Sequence, residues 1–329
     1  MLRQRNFLFG LIAVIVLLAV GAAAPKWLVF LTTMAASHGL AVLGVVVLTR
    51  GGGATFGQGL FFAVGAYAAA FTTQHLHISD ALVRVLIGGL VAGGMGALVS
   101  PLLARYRGIF FAMLTLALSM VVYGLLSKAG SLGGTDGFNL IRPTFFGLVP
   151  EGDDAGYLMY ALAIVVSAVS SALVWVYFRS SCGLVSLAVR NNALRLEYLG
   201  ASARRSLARD FTLCSALGGL GGALTGLALG HVDPQFAYWT TSGEFVFAAI
   251  LGGYQSAVAV FVASFILEIV RSFSSLYFPN SWQLALGVFL LTVVLVRPGG
   301  IGSLWVGRLS RRQAEKRLAE PVETGSPAP

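Results

Sequence analysis

Charge is what this sequence has least of: only 11% of its 329 residues are Asp, Glu, Lys or Arg, against about 25% in ordinary soluble domains. That scarcity excludes a chain kept in solution by a charged surface. Cysteine is nearly absent too. Cys182 and Cys214 lie far apart with no histidine near either, so no disulfide framework or Cys/His metal site is indicated and both read as incidental. The 4 histidines and 13 acidic residues show no metal-ligand spacing. No G-x-x-x-x-G-K-[ST] run occurs, Gly51, Gly52 and Gly53 leading instead into Ala-Thr-Phe, and there is no G-x-S-x-G elbow. The chain therefore reads as a non-enzyme without its own ATP site, metal or cofactor.

What is present is apolar length: 57% of residues are hydrophobic, and runs long enough to cross lipid recur along almost the whole chain. The expected class is an all-α integral membrane protein, a polytopic helical bundle of about ten spans, or eight to ten. The runs are Phe7 to Ala24, Trp27 to Leu48, Leu60 to Thr73, Ala81 to Leu103, Gly108 to Leu126, Tyr157 to Phe178, Phe211 to Gly230, Gly243 to Gly253, Ser256 to Phe273 and Trp282 to Val296. Gly243 to Gly253 is too short for about 30 Å of hydrocarbon and reads as a half-helix or a shared crossing. The basic start with Arg3 and Arg5 and the small residues Ala22, Ala23 and Ala24 also fit a cleaved signal peptide, but the length of the run from Phe7 favours a retained span.

The net charge of +9 sits at the ends of apolar runs rather than in one aromatic-laced patch, so it speaks for membrane topology and against nucleic acid. Of the 22 Lys and Arg residues, seventeen fall on the side that holds both termini, Arg50, Arg105, Arg107 and the stretch from Arg179 to Arg209. Lys26, Arg84, Lys128, Arg142 and Arg271 fall on the other. The excess places both termini in the cytoplasm. Residues 1–307 form one transmembrane domain. Residues 308–329, with Arg308, Arg311, Arg312, Lys316 and Arg317, read as a basic, disordered cytoplasmic tail against anionic lipid. The external stretch 127–156, with Gly133, Gly134, Gly137 and the acids Glu151, Asp153 and Asp154, is either a solvated connector or a contact for a soluble partner.

Glycine numbers 41. Gly218, Gly222, Gly226 and Gly230 recur every fourth residue, a stripe for close helix packing or for sliding, and Gly89 and Gly93 repeat the pattern. Charges within runs are few. Glu268 and Arg271 are spaced to pair on one helix face, and His38 reads as a hydrogen-bonded packing residue rather than a proton carrier. No acidic relay stands out at mid-membrane, so energy would come from outside the chain.

The segment 179–209, RSSCGLVSLAVRNNALRLEYLGASARRSLAR, is not linker-like. Leu184, Leu187, Ala188, Asn191, Leu194 and Tyr198 share helical spacing, with Arg190, Asn192, Arg195 and Glu197 as polar surface, and Gly200 is a stop. Such a helix either lies on the inner leaflet or docks into a cytoplasmic partner.

Here the chain resembles the permeases of ABC importers for branched-chain amino acids, of the LivH/LivM type and nearer to LivM. Gly183, Val189, Arg190, Asn192, Leu199 and Gly200 match the family's cytoplasmic loop, whereas Leu184 and Leu187 replace its first basic pair. GQGLFFAVGAYAAA from Gly57, which contains Gly65 and Tyr67, RGIFFAMLTLAL from Arg107, GGTDGFNLI from Gly133, and Pro298, Gly299, Gly300 and Ile301 match further family elements. After Gly253, Gln255 and Ser256 depart from its usual G-T-x-x-G-P. The resemblance implies a bacterial inner-membrane permease subunit forming half of a path for branched-chain or similar hydrophobic amino acids. It implies as partners a second permease subunit of the same family, two cytoplasmic subunits that bind ATP and Mg, and a periplasmic substrate-binding protein. Gly183, Arg190, Asn192, Glu197 and Gly200 would then belong to the ATPase-coupling loop, and Gly57, Gly65, Tyr67, Gly218, Gly222 and Gly226 to helix packing or the path. Related importers carry urea, short amides or aromatic acids, and an ion-coupled carrier or channel is the reading from another class.

Overall fold

In lipid an unpaired backbone N–H or C=O costs several kcal/mol, so apolar runs satisfy their backbones internally as helices. The computed structural model describes residues 2–145, 147, 153–253, 257–279 and 281–296. The basic tail at 308–329, the closing Pro298, Gly299, Gly300 and Ile301, and Glu151, Gln255 and Ser256 lie outside the described residues. Within them the chain forms α1 (Leu2–Ala23), α2 (Lys26–Arg50), α3 (Gln58–Leu76), α4 (Ala81–Leu103), α5 (Ile109–Lys128), α6 (Asp153–Arg179), α7 (Ser181–Tyr198), α8 (Ala203–Leu229), α9 (Trp239–Gly252), α10 (Ala257–Tyr277) and α11 (Trp282–Val296). Among the described residues, α2, α4, α5, α6, α8 and α10 are long and apolar enough to cross a membrane. Each expected run falls on a helix over most of its described part. α9, at 14 residues, reaches only about 21 Å.

The helices α2 and α8 are the centre. The apolar window of α2 is 89% buried, against 17% for α5. Glycine explains how α8 can touch three neighbours at once. A side chain at Gly222 would strike the carbonyl of Phe62 on α3, one at Gly219 would strike Ala92 and Gly88 on α4, and one at Gly221 would strike the Ser37 carbonyl on α2. Backbones approach closely there and gain dispersion contacts that larger residues would forbid.

Two non-helical stretches run into the bundle rather than across its surface. Gln58, which opens α3, is 1% exposed. Its Nε2 donates to the carbonyls of Ala41 (2.9 Å) and Cys214 (3.1 Å), and Cys214 Sγ donates back to its Oε1. Ala41 lies well inside α2, so residues 51–57 descend from the end of α2 into the core. Buried backbone needs partners, and here Phe56 N donates to Thr115 Oγ1 and Gly57 N to Thr55 Oγ1. From the opposite end the segment after α8 descends likewise, and Ser119 Oγ in mid-α5 donates to the Ala237 carbonyl at 2.7 Å. The starts of α3 and α9 meet where Gly59 N donates to Ser242 Oγ, 2.9 Å.

The stretch 127–156, read as connector or partner contact, is tied to the bundle in its described part. Phe138–Asn139 (β1) pairs antiparallel with His231–Val232 (β2), and Thr144 pairs with the Ser79–Ala81 backbone. Arg84, fully buried, donates through Nε to the Ala69 carbonyl and through Nη1 to that of Ile141. Arg84 thus pins this cap to α3 and α4.

The expected pairing of Glu268 with Arg271 does not form. Glu268 instead takes His38 of α2 at 2.9 Å, and Arg271 takes Glu244 of α9 at 3.4 Å. In a bundle, a partner on a packed neighbouring helix competes with one on the same helix, and here it wins. Arg271, counted among the five cations of the side opposite the termini, lies within α10. His38, read as a hydrogen-bonded packing residue, has its hydrogen-bond partner in Glu268.

Candidate functional site

The segment between α6 and α8 is built around α7. Ser180 caps it, its Oγ accepting from Gly183 N at 3.3 Å. Gly183 is buried in the corner with α6, where any side chain would strike the backbone of Tyr177 and Phe178. The helix is not continuous. Asn192 has extended backbone (φ −161°, ψ 100°), and its Oδ1 accepts from Arg195 N at 2.9 Å. Asparagine caps a second short helical segment in this way, because its side chain reaches a backbone donor that the helix start leaves orphaned. The single helix read from the sequence is thus two, joined at Asn192. Gly200, in the left-handed region at φ +84°, ends it with its N–H on the Glu197 carbonyl, as the glycine stop implied.

The apolar face is turned away from the bundle. Gly183, Ser186 and Leu196 are the buried positions of α7, while Leu184, Leu194, Tyr198 and Leu199 are exposed, Tyr198 by 90%. The helix is held instead by its first half and by polar ties. Arg190 lies over Gly52, whose missing Cβ would come 3.2 Å from the Arg190 Cα and whose φ of +81° is itself left-handed. Glu197 pairs with Arg107, on the α4–α5 turn, at 2.9 Å. That pair is exposed and orients the second half of α7 while contributing only about 0–1 kcal/mol. A cavity of about 100 Å³ lies between Gly51–Gly53, Arg107, Phe111 and the Val189–Arg190 stretch.

Beneath α7 is a residue that sequence reasoning passed over. Asp210, in the early turns of α8, is fully buried. It accepts hydrogen bonds from Tyr177 Oη of α6 and Ser186 Oγ of α7, both at 2.5 Å. Gly51 packs so closely that a side chain there would strike Asp210 and Ser186. One carboxyl therefore joins α6, α7, α8 and the turn after α2. The available signal was an aspartate directly abutting an apolar run, at Arg209-Asp210-Phe211, where a buried charge is costly unless it has partners.

The other candidates lie on packing seams. A side chain at Gly57 would strike the Thr115 carbonyl, one at Gly65 the Gly219 backbone and one at Gly218 Gln58 Nε2, while one at Gly226 would approach Val232 and Ala66. Gly230 leaves the stripe and caps α8 at φ +68°. Tyr67 is 4% exposed with its ring 5.6 Å from Phe138. These positions are not adjacent to the α7 assembly and are not brought into one site with it.

A family model described as branched-chain amino acid transport system / permease component matches residues 27–296. Over 278 residues the chain is 27% identical to the high-affinity branched-chain amino acid transport system permease protein LivM of Escherichia coli K12, covering 78% of this chain and 65% of that protein. Against the protein of the same name from Salmonella typhimurium it is 27% identical over 322 residues, 91% of this chain and 75% of that one. The corresponding LivH of E. coli K12 is 26% identical over 160 residues, about half of each chain (48% and 49%). No solved structure gives a significant match.

Proposed function

The chain belongs to the family of branched-chain amino acid transport system permease components, and from that premise we propose that it is the membrane-spanning subunit of a bacterial ATP-driven importer. In this reading it forms half of a path for branched-chain or similar hydrophobic amino acids, beside a second permease subunit. Two separate cytoplasmic ATPases bind ATP and Mg, and a periplasmic protein delivers substrate at the opposite face. The chain crosses the inner membrane about ten times with both termini cytoplasmic, and residues 1–307 form the permease domain.

The observation that carries the reading is the α7 assembly. A short kinked helix outside the spanning segments leaves Leu194, Tyr198 and Leu199 uncovered, yet its root is tied through Asp210 to α6 and α8. Apolar side chains of that size on a basic helix suit a groove on a soluble partner. A push on α7 would be passed through the Asp210 carboxyl to α8, which touches α2, α3 and α4. Replacing Arg190→Glu or Gly200→Val should abolish transport-coupled ATP hydrolysis while the subunit still reaches the membrane. Unchanged coupling in both variants would remove α7 as the ATPase contact.

A further inference from the structure

Four ionisable side chains from three helices converge beside a small cavity at mid-bundle. His38 and Glu268 both lie near the middle of their helices, α2 and α10, and their side chains are only 17% and 16% exposed. Glu244 of α9 and Arg271 of α10 are 25% and 40% exposed, and all four line the same cavity. The imidazole packs against the rings of Phe62 and Phe245, at 5.7 and 5.8 Å, which touch each other at 5.1 Å. Apart from Ser264, the remaining wall is apolar: Val42, Phe245, Ala248, Leu267 and Leu286.

Charges at this depth are expensive. They persist where they face a water-filled path or a protein partner, not lipid. A partly exposed Arg271 and Glu244 thus mark the open side of the cluster as path or subunit interface. The charge pattern narrows the ligand further. With the imidazole neutral the four groups carry one net negative charge, and with it protonated none. Neither state suits an anion without a compensating positive group. Both suit a molecule bearing one ammonium and one carboxylate a short distance apart, with an aliphatic side chain for the apolar wall.

We propose that this cluster is the point in the path where the two charged groups of a zwitterionic aliphatic amino acid are recognised. Arg271 takes the carboxylate, Glu244 and Glu268 the ammonium, and Val42, Ala248, Leu267 and Leu286 the side chain. His38 is a positioning residue: its bond to one oxygen of Glu268 leaves the other for the ligand. The assignment rests on the importer reading above and adds to it the residues that read the substrate. The cavity of about 30 Å³ holds water and no amino acid, so this conformation is the closed one. Loading requires α9 and α10 to part, exchanging the Glu244–Arg271 bond for bonds to the ligand.

The test is uptake of labelled leucine into vesicles carrying the whole assembly, compared for the wild type, Glu244→Gln, Arg271→Gln and the double exchange Glu244→Arg/Arg271→Glu, with the amount of subunit in the membrane measured alongside. The exchange restores a salt bridge but reverses the sign that each end of the substrate meets. The expected result is uptake lowered about tenfold or more in both single variants and in the exchange. Recovery in the exchange to near the wild-type rate would show a purely structural pair and overturn the assignment, as would wild-type uptake in the single variants. Should the neutral variants not reach the membrane, Arg271→Lys keeps the charge while losing the two-pronged grip on a carboxylate. Uptake several-fold below wild type is then expected, and an unchanged rate overturns the assignment. Absence of leucine uptake by the wild type overturns the substrate reading itself, and this assignment with it, so the two failures are distinguishable.

Discussion

Asp210 holds two hydroxyls that have little else to bond. Truncation in Asp210→Ala would leave Tyr177 Oη and the buried Ser186 Oγ without the acceptor they share. The expected loss is roughly 2–4 kcal/mol of local stability, since a buried polar group left unpaired costs its full desolvation. Asp210→Asn keeps an acceptor and should lose less. Thermal unfolding of the purified subunit in detergent checks the order, and equal stability of the alanine variant and wild type would contradict the node. Asp210 and Gln58 were hard to read from sequence for the same physical reason. A polar residue at the edge of an apolar run looks like a loop residue until its partners, distant in sequence, are known. Glu268 and Arg271 misled in the opposite way, because three-residue spacing permits a pair but does not choose it over a neighbouring helix.

Helices make the glycine argument specific. Gly222→Ala would place a methyl against the Phe62 carbonyl, a backbone atom that cannot swing aside, and overpacking of this kind costs about 1–3 kcal/mol. Gly94→Ala, on the same type of apolar helix but with nothing within 4 Å, should be neutral. Comparing the melting temperatures of the two separates a packing seam from a mere abundance of glycine. For α7, Asn192→Leu removes the cap between its halves and should cost about 1 kcal/mol. Tyr198→Lys, by contrast, leaves the fold intact and should weaken co-purification with the ATPase subunits. The positions of the helices were legible in the sequence because apolar length and backbone satisfaction in lipid leave few alternatives. The break at Asn192 was not, since helical spacing continues across it. The uncovered Leu194–Tyr198 face agrees with the amphipathic reading of this segment, which set its apolar side against the leaflet or a partner rather than the bundle.

For the whole molecule, the contacts of the loops sort into two groups. Arg107 with Glu197, Arg204 with the Pro101 carbonyl, and Arg190 over Gly52 gather at one end. Thr144 beside Asp80, and β1 with β2, gather at the other. Accessibility labelling of single cysteines in a Cys182→Ser/Cys214→Ser background should find position 198 reactive only from the cytoplasmic side and position 136 only from outside. Labelling of both from one side would contradict the proposed topology. The uncovered α7 face is the surface on which the proposed ATPase contact rests. Uptake of labelled leucine, urea and benzoate by vesicles carrying the complete assembly tests most directly the proposed import of a small hydrophobic amino acid at the expense of ATP hydrolysed by separate subunits. The expected result is ATP-dependent leucine accumulation well above that of urea or benzoate; accumulation of leucine without ATP, or of urea or benzoate in its place, would contradict it.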